Sequence, residues 1–85
     1  MAIGGVVITV RPDDRRDAEI ALSLFSELSV YGSDENGNII ATIKGIDSRS
    51  VERVIRTIEE IETVRKVKLA YLNTDDAPDT SIDKR

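Results

Sequence analysis

The sequence predicts a single α+β domain in which four strands and two helices follow one another in the order β-α-β-β-α-β. Short runs of β-branched residues alternate with two longer segments in which apolar residues recur every three or four positions. The runs are typical of strands, and the spacing is typical of one buried helix face. An Asn36-Gly37 pair separates two of the runs, and Asn-Gly is the pair that tight hairpin turns prefer.

Residues 3–10 form the first predicted strand, because they are β-branched apart from two glycines. Side chains alternate between the two faces of a strand. Val6, Ile8 and Val10 are therefore expected toward the core, and Val7 and Thr9 on the opposite face.

The first helix is predicted from about residue 12 to residue 28. Pro12 suits the opening turn of a helix, and Asp13 and Asp14 place negative charge where the helix dipole favours it. The apolar residues that follow share one face. They are Ala18, Ala21, Leu22, Phe25 and Leu28, with Ile20 and Leu24 beside them.

A hairpin is predicted to join the second strand, residues 29–32, to the third strand, residues 39–46. Asn36-Gly37 lies between them, and a type I′ turn needs two residues that tolerate positive φ. Asp47 or Ser48 then supplies an oxygen that can cap the first amides of the second helix.

The second helix is predicted to run through residue 62, because apolar residues recur there at helical spacing. They are Val51, Val54, Ile55, Ile58 and Ile61. The fourth strand follows at residues 65–72, and its alternation places Val67, Leu69 and Tyr71 toward the core and Lys66, Lys68 and Ala70 on the opposite face. The domain is accordingly expected to span residues 1–73, with residues 74–85 as a disordered polar tail.

Two right-handed crossovers joined by a hairpin give a four-stranded antiparallel sheet with both helices on one face, which is the ferredoxin-like arrangement. The other face carries no helix, and we name it the open face. Alternation assigns to it Val7, Thr9, Ile40, Thr42, Lys44, Lys66, Lys68 and Ala70, with Tyr31 or Val30 from the second strand. The open face is either an ordinary solvated surface or a docking platform built on its apolar residues.

Composition argues against several classes of function. The 85-residue chain has no Cys and no His, which removes thiolate nucleophiles, thiolate or imidazole metal sites and the usual general base near neutral pH. A net charge of −4, one Phe and two Tyr argue against nucleic-acid binding. The apolar runs are too short to span a bilayer, and the N-terminal run lacks the basic start of a secretory signal. We therefore expect a cytoplasmic binding module without catalytic residues, cofactor, metal or membrane insertion.

Three features that could suggest chemical sites have simpler structural explanations. Ser48 occupies a capping position and has no histidine to activate it as a nucleophile. The acidic loop at residues 34–38 lacks the spacing and the terminal glutamate of a calcium loop. Gly4-Gly5 precedes a strand and not a helix, so it is interpreted as a close-packing element or a bend, and not as a phosphate-binding loop.

The second half of the chain, from Asn36-Gly37 to Asp76, resembles the NapD family, small cytoplasmic chaperones of periplasmic nitrate reductase. The similarity covers the third strand at residues 39–43, the Asp47-Ser48 helix start, the apolar stripe of the second helix, and a final strand that leads into an acidic tail. The N-terminal strand, residues 5–9, is similar more loosely.

This resemblance implies a protein that binds the twin-arginine signal peptide of the nitrate reductase catalytic subunit and holds the precursor in the cytoplasm until its molybdenum cofactor is in place. It implies that the peptide lies as a helix against the open face. The residues expected to contact it are Val7, Thr9, Tyr31, Ile40, Thr42, Lys44, Lys68 and Ala70. Because the lysines would repel arginines, the arginine pair is expected near acidic rims of this face. The chain is expected to be a monomer or a weak homodimer.

Two other hypotheses stay open at this point. The first is a regulatory module that senses a small molecule, similar to the ACT domains, and it depends on topology alone. The second is a minimal enzyme or an RNA-binding sheet. It has less support because bases, aromatic residues and positive charge are scarce.

Overall fold

The computed structural model describes residues 1–74, and the predicted tail lies outside the described residues from position 75 onward. The elements follow the predicted order. They are strand β1 (Ala2–Val10), a short 3-10 turn (Pro12–Asp14), helix α1 (Arg15–Leu22), strands β2 (Leu28–Ser33) and β3 (Asn38–Gly45), helix α2 (Ser48–Glu59) and strand β4 (Val64–Thr74).

The four strands form one antiparallel sheet in the order β2-β3-β1-β4. β1 pairs with both β3 and β4, so the N-terminal strand lies in the centre of the sheet. Both helices contribute to a single core on one face of the sheet, through Ala18 and Leu22 of α1 and Val51 and Ile58 of α2. The predicted ferredoxin-like fold is confirmed.

The core side of the sheet is built by alternate residues of the two central strands. Val6, Ile8 and Val10 of β1 are buried, as the alternation predicted. The corresponding residues of β3 are Ile39, Ala41 and Ile43, and they are buried as well. Because side chains of opposite parity must point away from this layer, the open face is defined by the same register.

Helix α1 is shorter than predicted, since it ends at Leu22 and not near residue 28. The chain leaves the helix through tighter bonds, in which the amides of Leu24 and Phe25 donate to carbonyls three residues earlier at 3.2 and 3.1 Å. The Ser23 hydroxyl also donates to the Ile20 carbonyl at 2.6 Å, which offers the backbone an alternative to the helical pattern. Phe25 still packs against the core, whereas Leu24 is 82% exposed.

Helix α2 begins where a side-chain cap was predicted, and Asp47 is the capping residue. Its Oδ1 accepts from the backbone amide of Ser50 at 2.9 Å and from the Ser50 hydroxyl at 3.0 Å. The helix ends at Glu59, three residues before the predicted end. Ile61 packs against the core from the turn that follows, so its apolar spacing did not require the helix to continue.

The β2–β3 hairpin forms where it was predicted, but its turn is not the type I′ turn expected at Asn36-Gly37. Only Gly37 has a positive φ among the described residues, at 90°, and the Gly37 amide donates to the Asp34 carbonyl at 3.3 Å. The Asp34 carboxylate accepts from the amides of Asn36 and Asn38 at 2.9 and 3.0 Å. This aspartate organises the turn from its first position, which removes the need for a second left-handed residue.

Asp34 and Asp47 are expected to make stability dependent on pH in the acidic range. Amide hydrogen bonds, from Asn38 to Asp34 and from Ser50 to Asp47, hold the pKa of each carboxyl below its ordinary value of 3.8. A depressed folded-state pKa contributes stability that is complete above the unfolded value and is lost as pH falls through the folded one.

An Asp34→Ala/Asp47→Ala variant tests this expectation by urea unfolding. Its midpoint should lie below that of the wild type at pH 7, and the difference should shrink as the pH falls below 3.8. Glu35→Ala, which removes an exposed carboxylate from the same turn, should leave the midpoint unchanged at both pH values. A difference between wild type and double variant that stayed constant down to low pH would contradict the assignment.

Candidate functional site

The open face is a grid whose rows are fixed by the strand register. Val7 of β1 lies between Ile40 of β3 and Lys68 of β4, and Gly5 lies between Thr42 and Tyr71. These two central rows are flanked by one row at each end of the sheet. The end rows are Lys44, Ile3 and Asn73 on one side, and Asn38, Thr9 and Lys66 on the other.

A shallow groove of about 510 Å³ occupies the two central rows, and we name it the sheet groove. Its floor comes from β1 and β3, and one tyrosine stands on each side, from β2 and from β4. The lining residues are Gly5, Val6, Val7, Tyr31, Ile40, Ala41, Thr42, Ala70 and Tyr71. Most of these side chains are apolar or aromatic, so the groove suits an apolar ligand surface with a few polar contacts at its margins.

Tyr71 was predicted to face the core, and this prediction is wrong. β4 pairs Tyr71 with Gly5 but Leu69 with Val6, so Ala70 is an extra residue on β4 at this point. An extra residue reverses the alternation of the strand beyond it. Tyr71 therefore reaches the open face, and Leu72 packs against the core in its place.

Gly5 makes room for the ring of Tyr71. A Cβ atom built on Gly5 would collide with the Cε1, Cδ1 and Cζ atoms of that ring. The glycine was predicted to serve close packing or a bend, and it serves close packing. Glycine within a strand marks this kind of close approach or a bulge, and that was the one sequence signal pointing to the displaced tyrosine.

The second strand contributes Tyr31, and not Val30, to the open face. β2 has its own register shift, because Val30 pairs with Ala41 whereas Gly32 pairs with Ile40. Tyr31 is the residue between them and lines the sheet groove with 72% of its surface exposed. Both tyrosines therefore stand at strand irregularities on opposite sides of the same groove.

The structure brings five of the eight predicted contact residues together in the sheet groove. They are Val7, Tyr31, Ile40, Thr42 and Ala70. Lys68 lies beside Val7 at the β4 edge, and Thr9 lies in an end row, where its hydroxyl donates to the Asn38 side-chain oxygen at 3.1 Å. Lys44 lies at the opposite end. Gly5 and Tyr71 line the groove but were not among the residues predicted to contact the peptide.

Charge is distributed unevenly over the sheet. None of the four strands contains Asp or Glu, and β4 carries Arg65, Lys66 and Lys68. Carboxylates lie instead at the two ends of β2, with Glu27 immediately before the strand and Asp34 and Glu35 immediately after it. The β4 edge is therefore basic, and the ends of the β2 edge are acidic.

A second hollow of about 540 Å³ lies where the end of β3 meets the start of α2. It is lined by Met1, Glu27, Lys44, Gly45, Ile46, Ser50, Arg53 and Val54. Its lining mixes both charge signs with exposed apolar groups, and it lies at the end of the sheet. The sheet groove, in contrast, is almost uniformly apolar and lies on the face that the topology leaves uncovered.

The part of the chain that the structure describes has neither a cluster of metal-binding side chains nor a helix that could span a membrane. Residues 1–74 contain no group of three or more His, Cys, Asp or Glu side chains that could hold a metal ion. Over the same residues, none of the helices has the length and apolar character required to cross a membrane.

Comparison with known proteins places the chain in a family. The family model described as NapD protein matches residues 1–76. The match therefore extends beyond the second half of the chain, where the resemblance is strongest, and includes the N-terminal strand, where it is looser. No curated protein sequence matches. The solution structure of the E. coli Tat proofreading chaperone protein NapD is similar with a TM-score of 0.77 and 23% identity, covering 87% of this chain and 79% of that chain. The structural likeness shows a common fold, and the family match extends over nearly the whole chain. The chain belongs to the NapD family.

Proposed function

We propose that this chain is a cytoplasmic chaperone that binds the twin-arginine signal peptide of the catalytic subunit of a periplasmic nitrate reductase. It would hold the precursor until the cofactor of that subunit is in place. The observation that carries the proposal is membership of the NapD family. A solved structure of the same fold, the E. coli protein, is described as a Tat proofreading chaperone, which supports the same reading.

The sheet groove is the surface we assign to the peptide. An α-helix rises about 1.5 Å per residue, and the distance from β2 to β4 is three strand spacings, about 14 Å, so about ten helical residues cross the sheet. A helix can therefore lie across Ile40 and Val7 with one tyrosine toward each end. Ile40 and Tyr71 are each 48% exposed, so both have apolar area left to bury.

The chemistry of this surface supports binding without turnover. The sheet groove offers hydroxyls from Thr42 and two tyrosines, and the chain has no His or Cys to serve as a base or a thiolate nucleophile. Holding the peptide requires only that its apolar segment be covered. While that segment lies on the sheet, the same surface of the peptide is unavailable to any other receptor, and release follows by mass action.

The proposal is tested by titrating isotope-labelled protein with a synthetic peptide that carries two adjacent arginines followed by an apolar, helix-forming segment. Amide NMR shifts are expected at Val7, Ile40, Thr42 and Ala70, with little change at Ile20 on α1. A peptide of the same composition in scrambled order serves as the control. Absence of shifts at high peptide concentration would contradict the proposal, and shifts produced by free amino acids would favour the small-molecule hypothesis.

A further inference from the structure

We propose that the peptide crosses the sheet in one direction, with its arginine pair at Tyr31 on the β2 edge and its apolar segment over Ile40 and Val7 toward β4. This orientation rests on the proposed function, and it adds which residue of this chain recognises the arginines. It is argued from the charges at the two sheet edges and from the different surroundings of the two groove tyrosines.

The β4 edge is unfavourable for a pair of arginines. Lys66 and Lys68 lie on this strand, and none of the four strands carries a carboxylate to balance them. Arg65, at the start of the strand, lines a hollow with Asp14 and Glu62, so the two lysines make this edge basic. β2 lies three strand spacings away, roughly 14 Å, which exceeds the Debye length of about 10 Å at 0.1 M salt. Repulsion by the β4 cations is therefore largely screened at the β2 edge, and a basic segment is directed there.

The β2 edge also supplies nearby negative charge. Glu27 and Glu35 each lie four residues from Tyr31 in opposite directions, at most about 13 Å between backbone atoms. An arginine side chain beside the ring and a glutamate side chain extended toward it bring the two charges within the Debye length. Asp34 is less available, because its carboxylate holds the hairpin and Arg15 donates to its carbonyl at 2.8 Å.

Lys44 is a cation at the end of the open face where Glu27 lies. The Lys44 amide donates to the Glu27 carbonyl at 2.9 Å, and both residues line the second hollow. The lysine lies in the end row with Ile3, one row beyond the sheet groove. Its charge therefore lies outside the groove, at the end of the sheet where Glu27 also lies.

The two tyrosines differ in what they can offer a cation. Tyr31 is 72% exposed and stands at a strand irregularity, so both the edge and a face of its ring are accessible to a guanidinium group. Tyr71 lies on β4, the strand that carries Lys68, and its ring packs over Gly5 of β1. Tyr71 is thus suited to apolar contact. The lysines near it suit the carbonyl end of a bound helix, where the helix dipole is negative.

The direction can be measured with a spin label on the synthetic twin-arginine peptide. A label placed before the arginines should broaden amide signals of Val30, Tyr31 and Ser33 several-fold more than those of Lys66 and Lys68, because the effect falls steeply with distance. A label at the other end of the peptide should reverse this pattern. Reversed or equal broadening at the two edges would overturn the orientation. Failure of the unlabelled peptide to bind would instead overturn the proposed function.

The role of Tyr31 is tested by comparing Tyr31→Leu with the matched variant Tyr71→Leu, using one peptide with two arginines and one with two glutamines. Tyr31→Leu should weaken binding of the arginine peptide about tenfold and binding of the glutamine peptide by less than threefold. A tenfold loss is the size expected of a desolvated cation–ring contact. Tyr71→Leu should weaken both peptides equally. Tyr31→Phe, which keeps the ring, should bind as the wild type does. Equal losses for both peptides in Tyr31→Leu would show that Tyr31 gives apolar contact only and would overturn its assignment.

Discussion

Ile40→Asp is expected to weaken binding of a twin-arginine signal peptide at least about thirtyfold while the domain stays folded. Ile40 is 48% exposed in the free protein, so a carboxylate at this position remains solvated until a ligand covers it. A ligand that covers this position no longer buries the exposed half of an isoleucine, a loss of about 0.8–1.5 kcal/mol, and it has to desolvate a charge at a cost of about 1–3 kcal/mol or more. The sum, about 2 kcal/mol or more, corresponds to a loss of about thirtyfold or more in affinity.

The matched control for this variant is Ile20→Asp on α1. Ile20 is 60% exposed and lies on the helix layer, so the substitution makes the same change in charge and shape away from the open face. Its affinity for the peptide should stay within about twofold of wild type, and both variants should keep the wild-type circular dichroism spectrum. Ile40→Asn removes the apolar contact without adding a charge. This second variant is needed because an aspartate at position 40 also attracts the arginines of the peptide. Unchanged affinity of folded Ile40→Asp would place the peptide elsewhere on the molecule.

The sequence could predict the open face wherever the strands are regular. Val7, Ile40 and Thr42 lie on it as expected, because strict alternation needs only the residue types and one buried row to fix the parity. Periodicity could likewise find both helices through the residues that they bury. It could not find the end of α1, because Phe25 reaches the same core from a turn as it would from a helix.

The two groove tyrosines lie where alternation fails, and this explains why the groove was only partly predicted. A bulge adds one residue to one strand, and the choice of Ala70 as that residue depends on pairing with β1, a strand about 65 positions earlier in the chain. The sequence shows that Gly5 is a glycine within a strand, but it does not show that Tyr71 is the residue opposite it. Long-range pairing decides such details, and a pattern within one segment cannot contain them.

The charge pattern of the sheet has a similar origin. An overall charge of −4 suits a basic peptide, but among residues 1–74 the carboxylates lie in helices, turns and connections, and the charged residues of the strands are lysines and one arginine. The antiparallel order β2-β3-β1-β4 then separates the basic strand from the acidic ends of β2 by the full width of the sheet. Net charge therefore says less about recognition here than the order of the strands does.

Gly37→Ala is expected to destabilise the domain by about 3 kcal/mol, the largest effect on stability that we expect from a single methyl group in this chain. Gly37 has a φ of 90°, and a Cβ atom there would collide with the carbonyl oxygen of Val10. The left-handed conformation alone costs a residue with a side chain about 1–2 kcal/mol. The Val10 amide also donates to the Gly37 carbonyl at 2.8 Å, a bond worth about 1 kcal/mol that the hairpin would lose by moving away from β1.

Gly32→Ala provides the matched control within the same hairpin, because a Cβ atom on Gly32 meets nothing within 4 Å and its φ is not positive. Its free energy of unfolding should stay within about 0.5 kcal/mol of wild type or rise slightly, since alanine restricts the unfolded chain. Urea unfolding of both variants measures the difference. Equal stabilities would mean that the hairpin relaxes without losing its contact with β1. In that case the Val10–Gly37 hydrogen bond would not be needed to hold the acidic hairpin end of β2 against the central strand β1.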